Sequence, residues 1–149
     1  MTALDTQTVW LWPNVDAGSD DVSKGLRMWR ERYNPKKLHY YLNFSVEDWA
    51  RLINSAACVI GNSSSALREG AFLGVPAVNV GTRQQGREHG LNIVHAGYDA
   101  GAIEAAARRQ IAHGRYERSP LFGDGFAGKR IADVLASADI RIQKRLVYA

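Results

Sequence analysis

An α/β fold, with a three-layer arrangement of a parallel sheet held between helices, is what this chain predicts, and three observations carry the prediction. Short apolar runs alternate with segments of helical periodicity along the sequence, a pattern that sets strands side by side in parallel with helices on both faces. Residues 56–80 show the repeating unit most plainly: an apolar run stopping at Gly61-Asn62, three serines, a helical stretch to Gly74, then Pro76 and a second apolar run. Length and composition set the scale. A chain of 149 residues, 46% hydrophobic and 23% charged, is ordinary for one globular domain that buries roughly two thirds of its unfolded surface.

The first strand is expected over residues 9–12 and the first helix over 20–33, where Val22, Leu26 and Trp29 recur at spacings of four and three and mark an inward stripe. A strand over 38–42 follows, then a helix over 46–55 with Trp49, Leu52 and Ile53 facing inward. The apolar run 56–60 is the third strand. One helix is expected from the serines to Gly74, because Pro76 blocks its continuation. Residues 75–80 form the next strand, closed by Gly81; a short strand over 92–95, an alanine-rich helix over 100–112 and a last helix over 128–138 complete the chain. Trp10, Trp12 and Trp29 are expected in the core or at a domain interface. Gly123-Asp124-Gly125 reads as a turn and helix cap rather than a second anion site.

In a parallel sheet the turn after each strand lies at the carboxyl edge, where unpaired N–H groups and the positive end of the following helix favour an anion. Ser63, Ser64 and Ser65 would place hydroxyl donors there. Thr82-Arg83-Gln84-Gln85-Gly86-Arg87 leaves the end of the next strand with two guanidinium groups, whose planar forks suit phosphate oxygens. Glu69, four residues beyond Ser65, is expected about one turn along on the same helix face, where its carboxylate can accept two hydrogen bonds from a vicinal diol such as a ribose. Each residue also has a simpler role by itself. Serines after strands cap helices, loop arginines are solvated, and Glu69 pairs with Arg68 or stands in water. Capping does not require complementary anion-binding groups on two strand ends, so a phosphate is the expected guest.

Gly61-Asn62-Ser63-Ser64-Ser65 with Arg68-Glu69, then Gly74-Val75-Pro76, Asn79, Gly81-Thr82-Arg83-Gln84 and Gly86-Arg87, resembles the UDP-N-acetylglucosamine 2-epimerase family, in its hydrolysing branch. Trp12-Pro13-Asn14-Val15-Asp16-Ala17-Gly18-Ser19 upstream and Gly123-Asp124-Gly125 with Lys129-Arg130-Ile131 downstream match as well, so the resemblance covers residues 12–137. Ala66 stands where the family often has Gly. The resemblance implies a GT-B arrangement of two Rossmann-like domains across a cleft, with this chain as the carboxy-terminal, nucleotide-binding one. It implies Ser63 and Ser64 as diphosphate ligands, Glu69 as the ribose ligand, Arg83 near the phosphates and base, and Phe44 at the position whose backbone contacts uracil. Arg87 joins Arg83 on the same loop.

The family reaction eliminates UDP from the sugar and hydrates the glycal to N-acetylmannosamine for sialic-acid-type synthesis. Its acids and bases lie mostly on the amino-terminal domain, so no catalytic residue is assigned here. The expected partner is UDP or UDP-N-acetylglucosamine, with no cofactor. By the same resemblance residues 9–12 correspond to the second strand of the nucleotide domain. The expectation is thus a partial domain over 1–149 without its first strand and helix or the amino-terminal catalytic domain, inactive alone, and joined to a separate domain or self-associated. Two other readings stay open: the nucleotide-sugar-binding half of a GT-B glycosyltransferase, and a non-catalytic fragment or split subunit. Uracil or guanine as the base, and the exact amino sugar, stay open too.

Charge and rare residues narrow the field by exclusion. The formal net charge is +4, but the basic residues are scattered and no aromatic stacking motif accompanies them, so solvated helix faces account for them and nucleic acid is not the expected partner. The apolar runs are too short for a membrane span, and MTALDTQT lacks the regions of a signal peptide, so a cytoplasmic location is expected. Cys58, the single cysteine, lies in an apolar strand and is expected to be buried without a disulfide. His39, His89, His95 and His113 show no ligand spacing, and no metal is expected.

Overall fold

The computed structural model describes residues 4–13 and 19–139. Asn14 to Gly18 of the upstream match lie outside the described residues. The elements are β1 (Thr8–Leu11), α1 (Ser19–Tyr33), β2 (Leu38–Tyr41), α2 (Val46–Ser55), β3 (Val59–Gly61), α3 (Ser64–Leu67), α4 (Glu69–Leu73), β4 (Ala77–Val80), β5 (Ile93–Ala96), α5 (Ala100–His113) and α6 (Ala127–Ser137). Every strand pairing is parallel, so the α/β class and the strand sense are as the sequence predicts. The sheet, however, is divided: β1 pairs with β2, while β3, β4 and β5 form a second sheet in that order.

The three-stranded sheet holds most of the core. Alternate residues of a strand point to opposite faces, and here both faces are covered. On one side Val59, Ala77 and Ile93 pack with Ala66 and Leu67 of α3. On the other, Ile60, Val78, Val80, Val94 and Ala96 pack with Ala106 and Ala107 of α5. Leu4, just before β1, and Cys58 pack against this second cluster as well.

Three polar side chains bind the layers together where apolar contacts cannot satisfy the backbone. Asn92 donates from Nδ2 to the carbonyls of Val75 (2.8 Å) and Ala66 (3.3 Å). Gln110 on α5 donates from Nε2 to the carbonyls of Ala77 and Asn92, both at 2.8 Å, and its Oε1 accepts from the Tyr116 hydroxyl at 2.6 Å. Asn92 and Gln110 are both buried. These contacts pair buried polar groups, and leaving such a group without a partner costs about 1 to 3 kcal/mol.

Local signals place the element ends. The Ser45 hydroxyl accepts from the Asp48 N–H at the start of α2, and the Asp99 carboxylate from the Ala102 N–H at the start of α5. Gly74 ends α4 in the left-handed region at φ 67, and a side chain there would meet the backbone of Tyr116, so only glycine serves.

Two local expectations are corrected. The single helix after the serines is broken in two at Arg68, whose φ −92 and ψ −73 interrupt α3 after four residues. In α1 the inward stripe runs through Ser23 and Leu26, and Val22 is 53% exposed, because the half-covered β1–β2 sheet offers too narrow a seat for the stripe the periodicity suggested. Trp49 and Leu52 are half-buried and Ile53 buried, as expected. On α6 no residue is buried, and Ile131, Val134 and Leu135 stand in solvent.

Candidate functional site

The serine turn and the loop after β4 meet at the carboxyl ends of two paired strands, since Gly61 and Asn79 are register partners. The Asn62 carbonyl holds them together, accepting from Gln84 Nε2 at 2.7 Å and from Arg83 Nη1 at 3.3 Å. Gln84 is buried, so this bond acts in a low-dielectric setting and anchors the Arg83 loop to the serine turn. Gly81 leaves β4 at φ 76 with the Tyr98 ring against it, a close approach that directs the chain into this loop.

Among the serines the roles separate. Ser63 is the N-cap of α3, its Oγ accepting from the Ser65 N–H at 3.3 Å. Its hydroxyl proton is still available to donate. Ser65 Oγ accepts from the Trp49 indole N–H at 2.7 Å, which ties the turn to α2. Ser64 lines a cavity of about 290 Å³ with Leu67, Arg68, Arg87, Glu88 and Phe122. Two guanidinium groups and one carboxylate thus border it. The sequence reading invoked a helix dipole at this turn; α3 has only four residues, too few to build one, so hydroxyls and guanidinium groups must carry the attraction for an anion.

Of the other expected residues, Arg83 and Arg87 are exposed on the loop, and Glu69 is exposed in the first turn of α4. The break at Arg68 means that Glu69 does not continue the helix of Ser65. Phe44 is half-buried, its ring 4.8 Å from that of Tyr41, and neither it nor Glu69 lines the cavity. Gln84, Trp49 and the Asn62 carbonyl are the site-building groups that residue-by-residue reading missed. The only signal for Gln84 was its place in the Gly81-Thr82-Arg83-Gln84 string.

A second cavity, about 500 Å³, lies beside the first loop and is lined in part by Thr82, Gln85, His95 and Tyr98. A hydrogen-bond chain runs from its wall. His89 Nδ1 is 3.0 Å from the Gly90 carbonyl and must donate to it, His95 Nε2 then donates to His89 Nε2 at 3.2 Å, and Asn79 Nδ2 donates to His95 Nδ1 at 3.0 Å. Among the described residues no group of three or more His, Cys, Asp or Glu converges as a metal-ligand set.

The Gly-Asp-Gly turn is closed by its own residues. Asp124 accepts from the Phe126 N–H at 3.0 Å and takes a two-pronged contact from Arg130 at 2.7 and 2.9 Å. Hydrogen bonding from Arg130 holds the Asp124 carboxyl well below the usual carboxylate range. No described helix is long and apolar enough to cross a membrane.

Comparison with known proteins gives the chain its family. The family described as UDP-N-acetylglucosamine 2-epimerase matches residues 1–136. A UDP-N-acetylglucosamine 2-epimerase of Neisseria meningitidis is 29% identical over 143 residues, covering 92% of this chain and 37% of its own. A polysialic acid biosynthesis protein of Escherichia coli is 32% identical over 95 residues, 64% of this chain and 24% of its own. A hydrolysing GDP/UDP-N,N'-diacetylbacillosamine 2-epimerase of Campylobacter jejuni is 36% identical over 93 residues, 62% of this chain and 24% of its own. The chain therefore spans about a third or less of the length of these relatives.

Proposed function

The chain belongs to the UDP-N-acetylglucosamine 2-epimerase family, and from that premise we propose that its paired strand-end loops are the diphosphate half-site of a hydrolysing enzyme that converts UDP-N-acetylglucosamine to N-acetylmannosamine and UDP. One observation carries the reading: the bonds from Arg83 and Gln84 to the Asn62 carbonyl bring the arginine loop onto the serine turn. Ser63 and Ser64 donate hydroxyl protons to phosphate oxygens, and Arg83 and Arg87 supply charge-assisted donors to the same group. As the sugar–oxygen bond breaks, negative charge grows on the departing diphosphate, and donors already in place stabilise it without reorganising. Glu69 accepts from the ribose hydroxyls and Phe44 marks the base end. Proton abstraction and hydration fall to polypeptide other than this domain, in the cleft that a GT-B partner domain would close.

Titration calorimetry with UDP and with uridine tests the assignment. Ser64→Ala and Arg83→Ala should each weaken UDP binding by about 1.5 to 3 kcal/mol, roughly ten- to a hundredfold, and leave uridine nearly unchanged. Glu69→Gln should weaken both ligands, because both carry the ribose. Equal losses for UDP and uridine on changing Arg83 would refute the phosphate role.

A further inference from the structure

We infer that the cavity of about 500 Å³ beside the loop after β4 is a sugar subsite, which takes an uncharged, N-acylated hexosamine ring with Tyr98 as its platform. The place of this subsite in the ligand rests on the phosphate reading above; its chemistry does not.

The loop after β4 has two sides. Arg83 and Gln84 bond back to the Asn62 carbonyl, and Arg87 lines the cavity that Ser64 also lines, so these residues serve the β3 side. Thr82, Gln85 and Gly86 line the other cavity, together with His95 near the end of β5 and Tyr98 just beyond it. β4 lies between β3 and β5 in the sheet, and neighbouring strands are about 4.8 Å apart. A group bonded to a phosphate at the ends of β3 and β4 therefore needs only one further strand spacing to reach the end of β5. The nucleoside is placed the other way. Phe44 follows β2 and Glu69 follows β3, and neither lines either cavity. With base and ribose on the β3 side of the diphosphate, the group on its far side, the sugar, falls towards β5.

The lining chemistry selects the ring. No Asp, Glu, Lys or Arg lines this cavity, in contrast to the two guanidinium groups and the carboxylate around the first. A charged guest would lose water there without gaining an opposite charge, so a phosphate, a uronic acid and a free amino sugar all fit poorly. His95 has both ring nitrogens engaged, by Asn79 and His89, and offers ring surface rather than a free donor. The Thr82 hydroxyl, the Gln85 carboxamide and the Tyr98 hydroxyl have no hydrogen-bond partner among the described residues. They are neutral donors and acceptors of the kind that sugar hydroxyls and an acetamido group require. Tyr98 is set in place by backbone: its ring lies so close to Gly81 that a side chain there would meet it. The residue is nonetheless 76% exposed. A ring fixed at a cavity wall with most of its surface uncovered can pack on the C–H face of a pyranose at little entropic cost.

Titration calorimetry on the 149-residue chain, comparing UDP with UDP-N-acetylglucosamine, tests the subsite. Tyr98→Ala should weaken binding of the sugar nucleotide about tenfold and leave UDP unchanged. Gln85→Ala should act in the same direction, about threefold, while Tyr98→Phe, which keeps the ring, should retain most of the affinity. UDP-glucosamine, whose ammonium group finds no partner in the cavity, should bind no tighter than UDP. Saturation-transfer NMR with free N-acetylglucosamine at millimolar concentration reads the cavity without the phosphates. Its ring and acetyl protons should receive signal from the wild-type chain and lose it with Tyr98→Ala, whose amide spectrum reports that it is folded. Four results would overturn the subsite: equal losses for UDP and UDP-N-acetylglucosamine on changing Tyr98, no loss for either, UDP-glucosamine binding as tightly as its N-acetyl form, or no transfer to the free sugar from the folded wild type. Transfer to the free sugar from a chain that leaves UDP unbound would sink the phosphate reading and keep the sugar cavity.

Discussion

The two sheets of this domain are built to different standards. In the β3–β4–β5 sheet Ala77 and Val78 are fully buried and helices cover both faces, with Asn92 and Gln110 bonding strand to helix. In the β1–β2 sheet Val9 is 40% exposed and Tyr41 46%, and arginines lie over the aromatic rings, Arg27 over Trp12 and Arg30 over Tyr40. The expected ligand groups divide along the same line. The serines, Arg83 and Arg87 that would hold a diphosphate sit on the loops of the covered sheet, where fixed geometry matters most for charge-assisted bonds. Phe44, at the expected base end, follows β2 in the open half. On the proposed reading the diphosphate would be held by the covered half and the base met by the open one.

The strongest way to break this contrast is to cut the staple of the covered half. Gln110→Leu removes a donor to the Ala77 and Asn92 carbonyls, the latter still bonded to the Ala77 N–H, and takes away the acceptor of the Tyr116 hydroxyl, and should cost about 2 kcal/mol in equilibrium urea denaturation. A loss below about 1 kcal/mol would mean that the covered half is held by apolar packing alone. Cys58 reports on the same half through its chemistry. Burial pushes its thiol from the ordinary 9.0 up to about 11, so at pH 8 its thiolate fraction, and its alkylation by iodoacetamide, should be about a hundredfold below that of the unfolded chain. The sign follows from linkage: a raised thiol pKa contributes stability that is present below 9.0 and lost as pH rises towards about 11. Alkylation at the unfolded rate would show that β3 opens freely at its unpaired edge.

Trp49 fastens α2 to the serine turn. Trp49→Phe keeps an aromatic ring on α2 but removes the indole donor to Ser65, and should lower stability by about 1 kcal/mol. An unchanged urea midpoint would show that α2 does not fasten the serine turn. The smallest effect is expected in the open half. The Tyr40 hydroxyl is buried with no partner among the described residues, so Tyr40→Phe should leave stability unchanged or raise it by up to about 1 kcal/mol, while the ring stays under Arg30. A clear destabilisation in the same denaturation experiment would reveal a partner for that hydroxyl and make the two halves more alike.

Local patterns in the sequence determined the order and kind of the elements, because alternation, capping residues and the Gly74–Pro76 stop act over a few residues. The same is true of the two candidate loops, each read from its own short string of Ser63 to Ser65 and Arg83 to Arg87. What joins residues far apart was decided only in the folded chain. Ser63 became the cap, and the Ser65 hydroxyl accepts from Trp49, 16 residues away. Arg68 broke the expected helix, so Glu69 starts a separate one from that of Ser65. His89 and His95, unremarkable in spacing, bond each other directly, with Asn79 on a neighbouring strand holding His95. The division of the sheet belongs to this second kind. Apolar runs announce strands, but a ladder is a bond between two of them, and which edges find a partner depends on the whole path of the chain.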